Sequence, residues 1–274
     1  MTQTLALIWD TFREASARKI FWGLFGLSTA TILFFLFLLK IDLVEGALAT
    51  VTLFGRTSNR SMEVDKLVSN VFGAIAGFLY TVGMFLAVFA SAGLIASVLE
   101  PGRIELLLSK PVSRVHILLG RFLGNVLIVA AIISYLIVGV WLILGFKTGI
   151  WSGRFLVTIG MTVGMFAVLL TVVVLTGVIW ESTALSTMVP VAMMLISPIL
   201  AQNKIAERLL SSEWSRDAWN GLYYTLPKVY DFGRITHALV LRQPVESWMP
   251  LWSSAIFGAI VLSAGLYVFA RRDF

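Results

Sequence analysis

The sequence predicts an all-α polytopic membrane protein with six transmembrane helices, and three observations carry that prediction. Long apolar stretches with almost no internal charge occupy about 20–39, 71–99, 117–146, 155–180, 184–200 and 249–270 of the 274 residues. Hydrophobic residues make up 58% of the chain and charged residues 13%, where a soluble domain carries about 25% charged residues; mean hydropathy is +0.91. Third, runs such as FFLFLL and IVAAIISYLIVGVWLILG are apolar on every side. Strands of a membrane barrel run about 10 residues and alternate lipid-facing with lumen-facing positions, so they do not fit.

Residues 1–19 come first and are amphipathic. At 100° per residue Leu5, Ile8, Trp9, Phe12 and Ala15 share one face, with Asp10, Arg13, Glu14 and Arg18 largely opposite. That pattern suits a helix lying in the membrane interface, or one packed on another protein. The run from Ile20 to Leu39 exceeds the 7–15 residues of a signal-peptide core. The small-x-small site at Ala47-Leu48-Ala49 lies well beyond it, so the first span is expected to stay. A bilayer core of roughly 30 Å needs about 20 apolar residues, and its lack of water requires every backbone group to be paired within the helix. Five stretches meet that length. The fifth in order, 184–200, is short and bracketed by Pro190 and Pro198; each removes a backbone donor, so a kink or an early end is expected.

Six spans place both termini on one side. Arg13, Arg18, Lys19, Arg103, Lys110, Arg114, Arg121, Arg271 and Arg272 then fall on short segments of that side, which makes it the cytoplasmic one. On the other side, 40–66 reads as a modest polar loop. The segment 201–248 is rich in aromatics: Trp214, Trp219, Tyr223, Tyr224, Tyr230, Phe232 and Trp248. Amphipathic rings favour the headgroup layer, so this outer loop is expected to lie on or dip into the outer leaflet. The net charge of +6 is read as loop charge facing lipid headgroups rather than nucleic acid.

Enzyme signals are poor. The chain has no G-x-x-x-x-G-K-[ST] phosphate loop, no H-E-x-x-H zinc helix and no G-x-S-x-G elbow. Zero cysteines remove thiolate metal sites, Cys nucleophiles and disulfides together. His116 and His237 fall on opposite sides of the bilayer and cannot share a metal; His116 is read as an interfacial residue. Met188, Met193 and Met194 fit gap-filling better than soft-metal binding. Ionisable groups within spans, the usual pointers to ion-coupled transport, are nearly absent. Arg121, one turn into the third span, is expected to snorkel to the interface. Glu181, in the turn between spans four and five, is placed to cap the fifth helix or to meet a cytosolic partner. Gly73-xxx-Gly77, Gly120-xxx-Gly124 and Gly160-xxx-Gly164 permit close helix approach, within one chain or between two.

The most distinctive stretch is 99-LEPGRIELLLSKPVSRVHILLGRFLG-124. It leaves the membrane with an acid and a Pro-Gly break. A short amphipathic helix follows, with Ile104, Leu107 and Leu108 on one side, and Ser109-Lys110-Pro111 ends it. Such a helix lies across the exit of two spans, where a soluble partner could push on it. This run resembles the permease subunits of the ABC type-2 exporter group, nearest to the six-span permeases related to that of the exporter for maturation of a copper enzyme, nitrous oxide reductase. The N-terminal helix, the LYYTLPKVYDF segment and the closing FARRDF are similar to the same family.

The resemblance implies a single transmembrane domain over 1–274 in a bacterial inner membrane. It implies a separate cytosolic ATPase in two copies, a second permease, identical or not, and room for an outer accessory protein; no nucleic acid is involved. ATP and magnesium would sit on the ATPase, with no cofactor on this chain. By position, 100–115 would be the coupling helix, with Glu100, Pro101, Gly102, Arg103, Glu105, Ser109, Lys110, Pro111, Ser113 and Arg114 as its contacts; Glu100, Gly102 and Glu105 match the family run. The N-terminal helix and Glu181 would be secondary contacts. The leading expectation is therefore the membrane subunit of an ATP-driven exporter. A membrane anchor that transmits force without transport would use the same helix. An intramembrane lipid enzyme would need a cluster of acids, histidines or a serine dyad that the sequence does not display.

Overall fold

A computed structural model describes residues 2–17, 19–37, 39–44, 48–53, 56–57, 62–96, 113–202 and 212–271. Its elements in order are α1 (Thr2–Ala17), α2 (Lys19–Phe37), strands β1 (Leu39–Val44), β2 (Leu48–Leu53), β3 (Arg56–Thr57) and β4 (Met62–Glu63), then α3 (Val64–Ala96) and α4 (Arg114–Thr148). A 3-10 turn, Gly153–Leu156, leads into α5 (Val157–Trp180). After it come α6 (Thr183–Leu200), α7 (Glu213–Thr225), α8 (Val229–Val240) and α9 (Met249–Arg271). Among the described residues, five helices are each long and apolar enough to cross a membrane. The bent pair α1–α2, which turns through 76°, raises the number to six. The membrane-spanning part is all-α.

The bundle is built around α5. Its spanning window is 72% buried within the chain, against 22% for that of α9, so α5 is the axis and α9 leaves most of its surface uncovered by the rest of the chain. The helices α3, α4, α6, α8 and α9 all pack on it. Phe72 of α3 meets Phe155 at the start of α5, and Gly258 and Gly265 of α9 lie against Val168 and Val174. These pairings run in step, so α3, α5 and α9 point one way, while α2, α4 and α6 return.

Beside this core, α1 and α2 rest along α4. Ala15 of α1 packs on Ile128 and Ile132. Phe25 of α2 stacks on Tyr135, centroids 4.9 Å apart, and Thr29 shares a hydrogen bond of 3.2 Å with the Tyr135 hydroxyl. At the far end Lys147 Nζ donates to the carbonyls of Phe35, at 3.2 Å, and Leu36, at 2.5 Å. It thereby satisfies acceptors that the end of α2 would otherwise leave open.

One expectation changes. The 40–66 segment is not a plain loop: β1 and β2 pair antiparallel from Leu39 with Leu53 to Val44 with Leu48, and β3 and β4 both add to β2. The alternation in LKIDLV carries that signal. The helix α6 runs through Pro190 and ends two residues after Pro198.

Candidate functional site

One end of the bundle gathers the start of α4, the α5–α6 turn and α1. Glu100, Pro101, Gly102, Arg103, Glu105, Ser109, Lys110 and Pro111 lie outside the described residues, and the chain is described again from Ser113. That serine caps α4: its Oγ accepts from the His116 N–H at 3.4 Å and lies 2.5 Å from His116 Nδ1. A serine Ncap satisfies an orphan donor, so α4 begins at Arg114, and the last residues of the expected coupling segment 100–115 belong to the start of this long helix.

Two turns further on, Arg121 does not snorkel to water. It is 1% exposed, with Nη2 donating to Asp10 Oδ2 at 2.8 Å and Nη1 to Glu14 Oε2. A buried guanidinium is strongly unfavourable unless paired, and two carboxylates on one face of α1 supply the pairing. One turn on, Asn125 donates to the Arg121 carbonyl at 2.9 Å. Close backbone approach makes the contact possible. Thr11 is fully buried against Gly124, where a Cβ would sit 2.7 Å from the Thr11 Cβ. The sequence held the signal in Asp10 and Glu14, four residues apart, with an arginine inside an apolar run.

Glu181 sits directly before the residue that caps α6. It ends α5 in the left-handed region, φ 50°, with its N–H bonded to the Gly177 carbonyl at 3.0 Å. Ser182 is the Ncap of α6, its Oγ accepting from Leu185 N–H at 3.5 Å.

The opposite end is closed by the α7–α8 hairpin. Three hydroxyls from three different helices hold three consecutive residues at the start of α8. Ser254 Oγ of α9 accepts from Lys228 N–H at 3.1 Å, and Ser197 Oγ of α6 accepts from Tyr230 N–H at 3.0 Å. Tyr80 of α3 donates to the Val229 carbonyl at 2.7 Å. Helix starts leave free N–H groups, and neighbouring side chains here take the role of a cap. Lys228, 2% exposed, places its ammonium over the Tyr223 ring at 4.9 Å and bonds the Tyr224 carbonyl at 3.4 Å. Burial pushes its pKa down, with the Asp231 charge opposing. Tyr223 donates to Asp231 Oδ2 at 2.9 Å. Burial, and then that bond to a carboxylate, raise the Tyr223 pKa well above its ordinary value.

A cavity of about 530 Å³ lies beside the hairpin, between α3, α6 and α8 and the chain entering α9. Gly77, Met84 and Phe85 of α3 and Met194 and Pro198 of α6 form an apolar wall; Asp231, Arg234 and Glu246 form a charged one. The aromatic set divides. Trp214, Tyr224 and Tyr230 are exposed, Trp219 is half-buried, and Tyr223 turns to the cavity. The glycine pairs divide too. Gly73 packs on His237 and Leu241 of α8 and Gly124 on Thr11, whereas Gly77, Gly160 and Gly164 have no atom within 4 Å of a would-be Cβ. Gly120 is buried in α4.

The family model described as "ABC-2 family transporter protein" matches residues 5–274, and the chain belongs to that family. It is thus a permease component of an ABC transporter, from a family that works with an ABC ATPase. No curated protein matches the chain.

Proposed function

We propose that this permease is driven by a separate cytosolic ATPase seated on 100–115 and that it moves its substrate outward across a bacterial inner membrane. Two ATPase copies and two permeases form the transporter; ATP and magnesium sit on the ATPase; both termini face the cytosol. The observation that carries the reading is the joint at the start of α4. A helix capped by Ser113 and joined to α1 through Arg121 moves as one piece, so a push on the preceding segment reaches α1 and the full length of α4. The Glu181 turn, at the same end, is the secondary contact.

Substituting both Glu100 and Glu105 by Arg is expected to abolish co-purification of the ATPase while membrane insertion persists. Undiminished co-purification overturns the seat. Single cysteines at Ser61 and Ser109 in the cysteine-free chain are expected to label from opposite sides, and same-side labelling overturns the orientation. The cavity at the outer end favours transport over a purely mechanical anchor. A substrate-stimulated ATPase rate in proteoliposomes separates the two.

A further inference from the structure

We infer that the cavity between α3, α6 and α8 binds an outer-leaflet lipid whose head carries both a phosphate and an ammonium. The inference takes the outer face from the orientation proposed above and adds a ligand that this reading does not name. The cavity's volume, about 530 Å³, falls within the roughly 300–1,000 Å³ of small-molecule sites. One wall, from Gly77, Met84 and Phe85 to Met194 and Pro198, belongs to two membrane-spanning helices and suits an acyl chain.

The other wall presents both signs of charge. Arg234 reaches Asp231 Oδ1 at 3.7 Å and Glu246 Oε2 at 3.4 Å. Settled charge-assisted contacts run about 2.7–2.9 Å, so the guanidinium is held loosely between two acids and is free to form a paired contact with a phosphate. Its side chain is 54% exposed and that of Glu246 85%. An incoming ammonium therefore finds Glu246 as Arg234 turns to the phosphate. Asp231 is already engaged by Tyr223. The lining carries two acids and one arginine, with Lys228 outside it behind the Tyr223 ring, so a head that brings an ammonium together with its phosphate fits this wall better than a net anion. Exposed Tyr224, Tyr230, Trp248 and Trp252 flank this end of the bundle, and such rings mark the headgroup layer where a lipid head would lie.

The test uses the purified, delipidated permease and native mass spectrometry with added short-chain probes. The probes are a diacyl phosphoethanolamine, the matching diacyl phosphoglycerol, and glycerophosphoethanolamine without chains. The phosphoethanolamine lipid is expected to be retained roughly tenfold better than either other probe, the scale of one charge-assisted contact. Glu246→Gln is expected to remove the preference over phosphoglycerol, and Arg234→Gln to weaken both lipids. Gly77 lines the cavity with open space beyond it, so Gly77→Leu fills the site without disturbing packing and is expected to abolish retention at unchanged thermal stability. Equal retention of the two lipids by the unaltered chain, full retention in Gly77→Leu, or equal binding of the chainless head each overturns the inference. No ATPase is present, so failure here leaves the proposed drive intact, and loss of ATPase co-purification leaves this result intact.

Discussion

The two ends of this bundle are fastened by different chemistry. At the start of α4, α1 is held by a guanidinium between two carboxylates, one of which, Asp10, is 57% exposed. At the start of α8, the hairpin is held by neutral hydroxyls of Tyr80, Ser197 and Ser254 on backbone groups. Charge is affordable where water still reaches one partner; between three packed helices a hydroxyl completes the backbone without carrying a charge into the interior. The consequences of damage differ accordingly. A broken ion clasp strands a buried charge, whereas a missing hydroxyl strands one dipole.

The comparison is broken most directly at Arg121. Arg121→Met leaves Glu14 facing an apolar wall and is expected to cost about 3–5 kcal/mol, measured by equilibrium unfolding in mixed detergent. If the loss is smaller than that of any single hydroxyl deletion, the ranking of the two ends is inverted. Gly124→Val tests the same joint by steric means. Its Cβ would press on Thr11, for an expected loss of about 1–3 kcal/mol that Thr11→Ala partly restores.

At the other end, Tyr80→Phe deprives the Val229 carbonyl of its partner, an expected loss of about 1–3 kcal/mol. Ser197→Ala and Ser254→Ala each strand one N–H of the same turn. Combined with Tyr80→Phe they should be non-additive, because all three hold one backbone segment. Additive losses would mean that the start of α8 is not a unit. Asp10→Asn sharpens the charged side. As the exposed partner it should cost under about 1 kcal/mol, less at high salt.

The smallest expected effect is a response to pH. Tyr223 has its pKa raised in the fold from the ordinary 10.0. Above that pH the unfolded chain has lost a proton that the folded chain keeps, so stability falls as pH rises past about 10. Lys228, lowered from 10.5, acts in the opposite sense: stability rises as pH climbs towards that value, because the fold sheds the buried charge first. Tyr223→Phe should therefore flatten the alkaline loss in a thermal-melting series. An unchanged slope would count against the Tyr223–Asp231 bond.

Much of the fold was legible because lipid makes a severe demand: each crossing segment must be long, apolar and helical. The apolar run opening at Val71, the one before Trp180 and the one closing at Arg271 all announce themselves by composition. The membrane setting hid what lay between those runs. Arg121 reads as an arginine near a span end, and snorkelling to water is the ordinary outcome. Only the approach of α1 over Gly124 brings Asp10 and Glu14 within reach. Ser197, Ser254 and Tyr80 are unremarkable in their own helices, and become partners because α6, α9 and α3 converge on α8. The strands at 39–63 were missed for a different reason: the charges of Lys40 and Asp42 suggested a loop, although they alternate with Leu39, Ile41 and Leu43.

By itself the sequence determined that the chain is helical in the membrane and which family pattern it carries. Only the tertiary structure decided that α5 is the axis and α9 the least covered flank, that Arg121 is enclosed, and that a cavity opens beside α8. The reason is the solvent. In water a helix's apolar stripe points to its core, but lipid is as apolar as a protein interior, so hydrophobicity specifies that a segment is embedded without specifying its neighbours. That choice falls to shape and to a few polar groups, which act only once the helices are together.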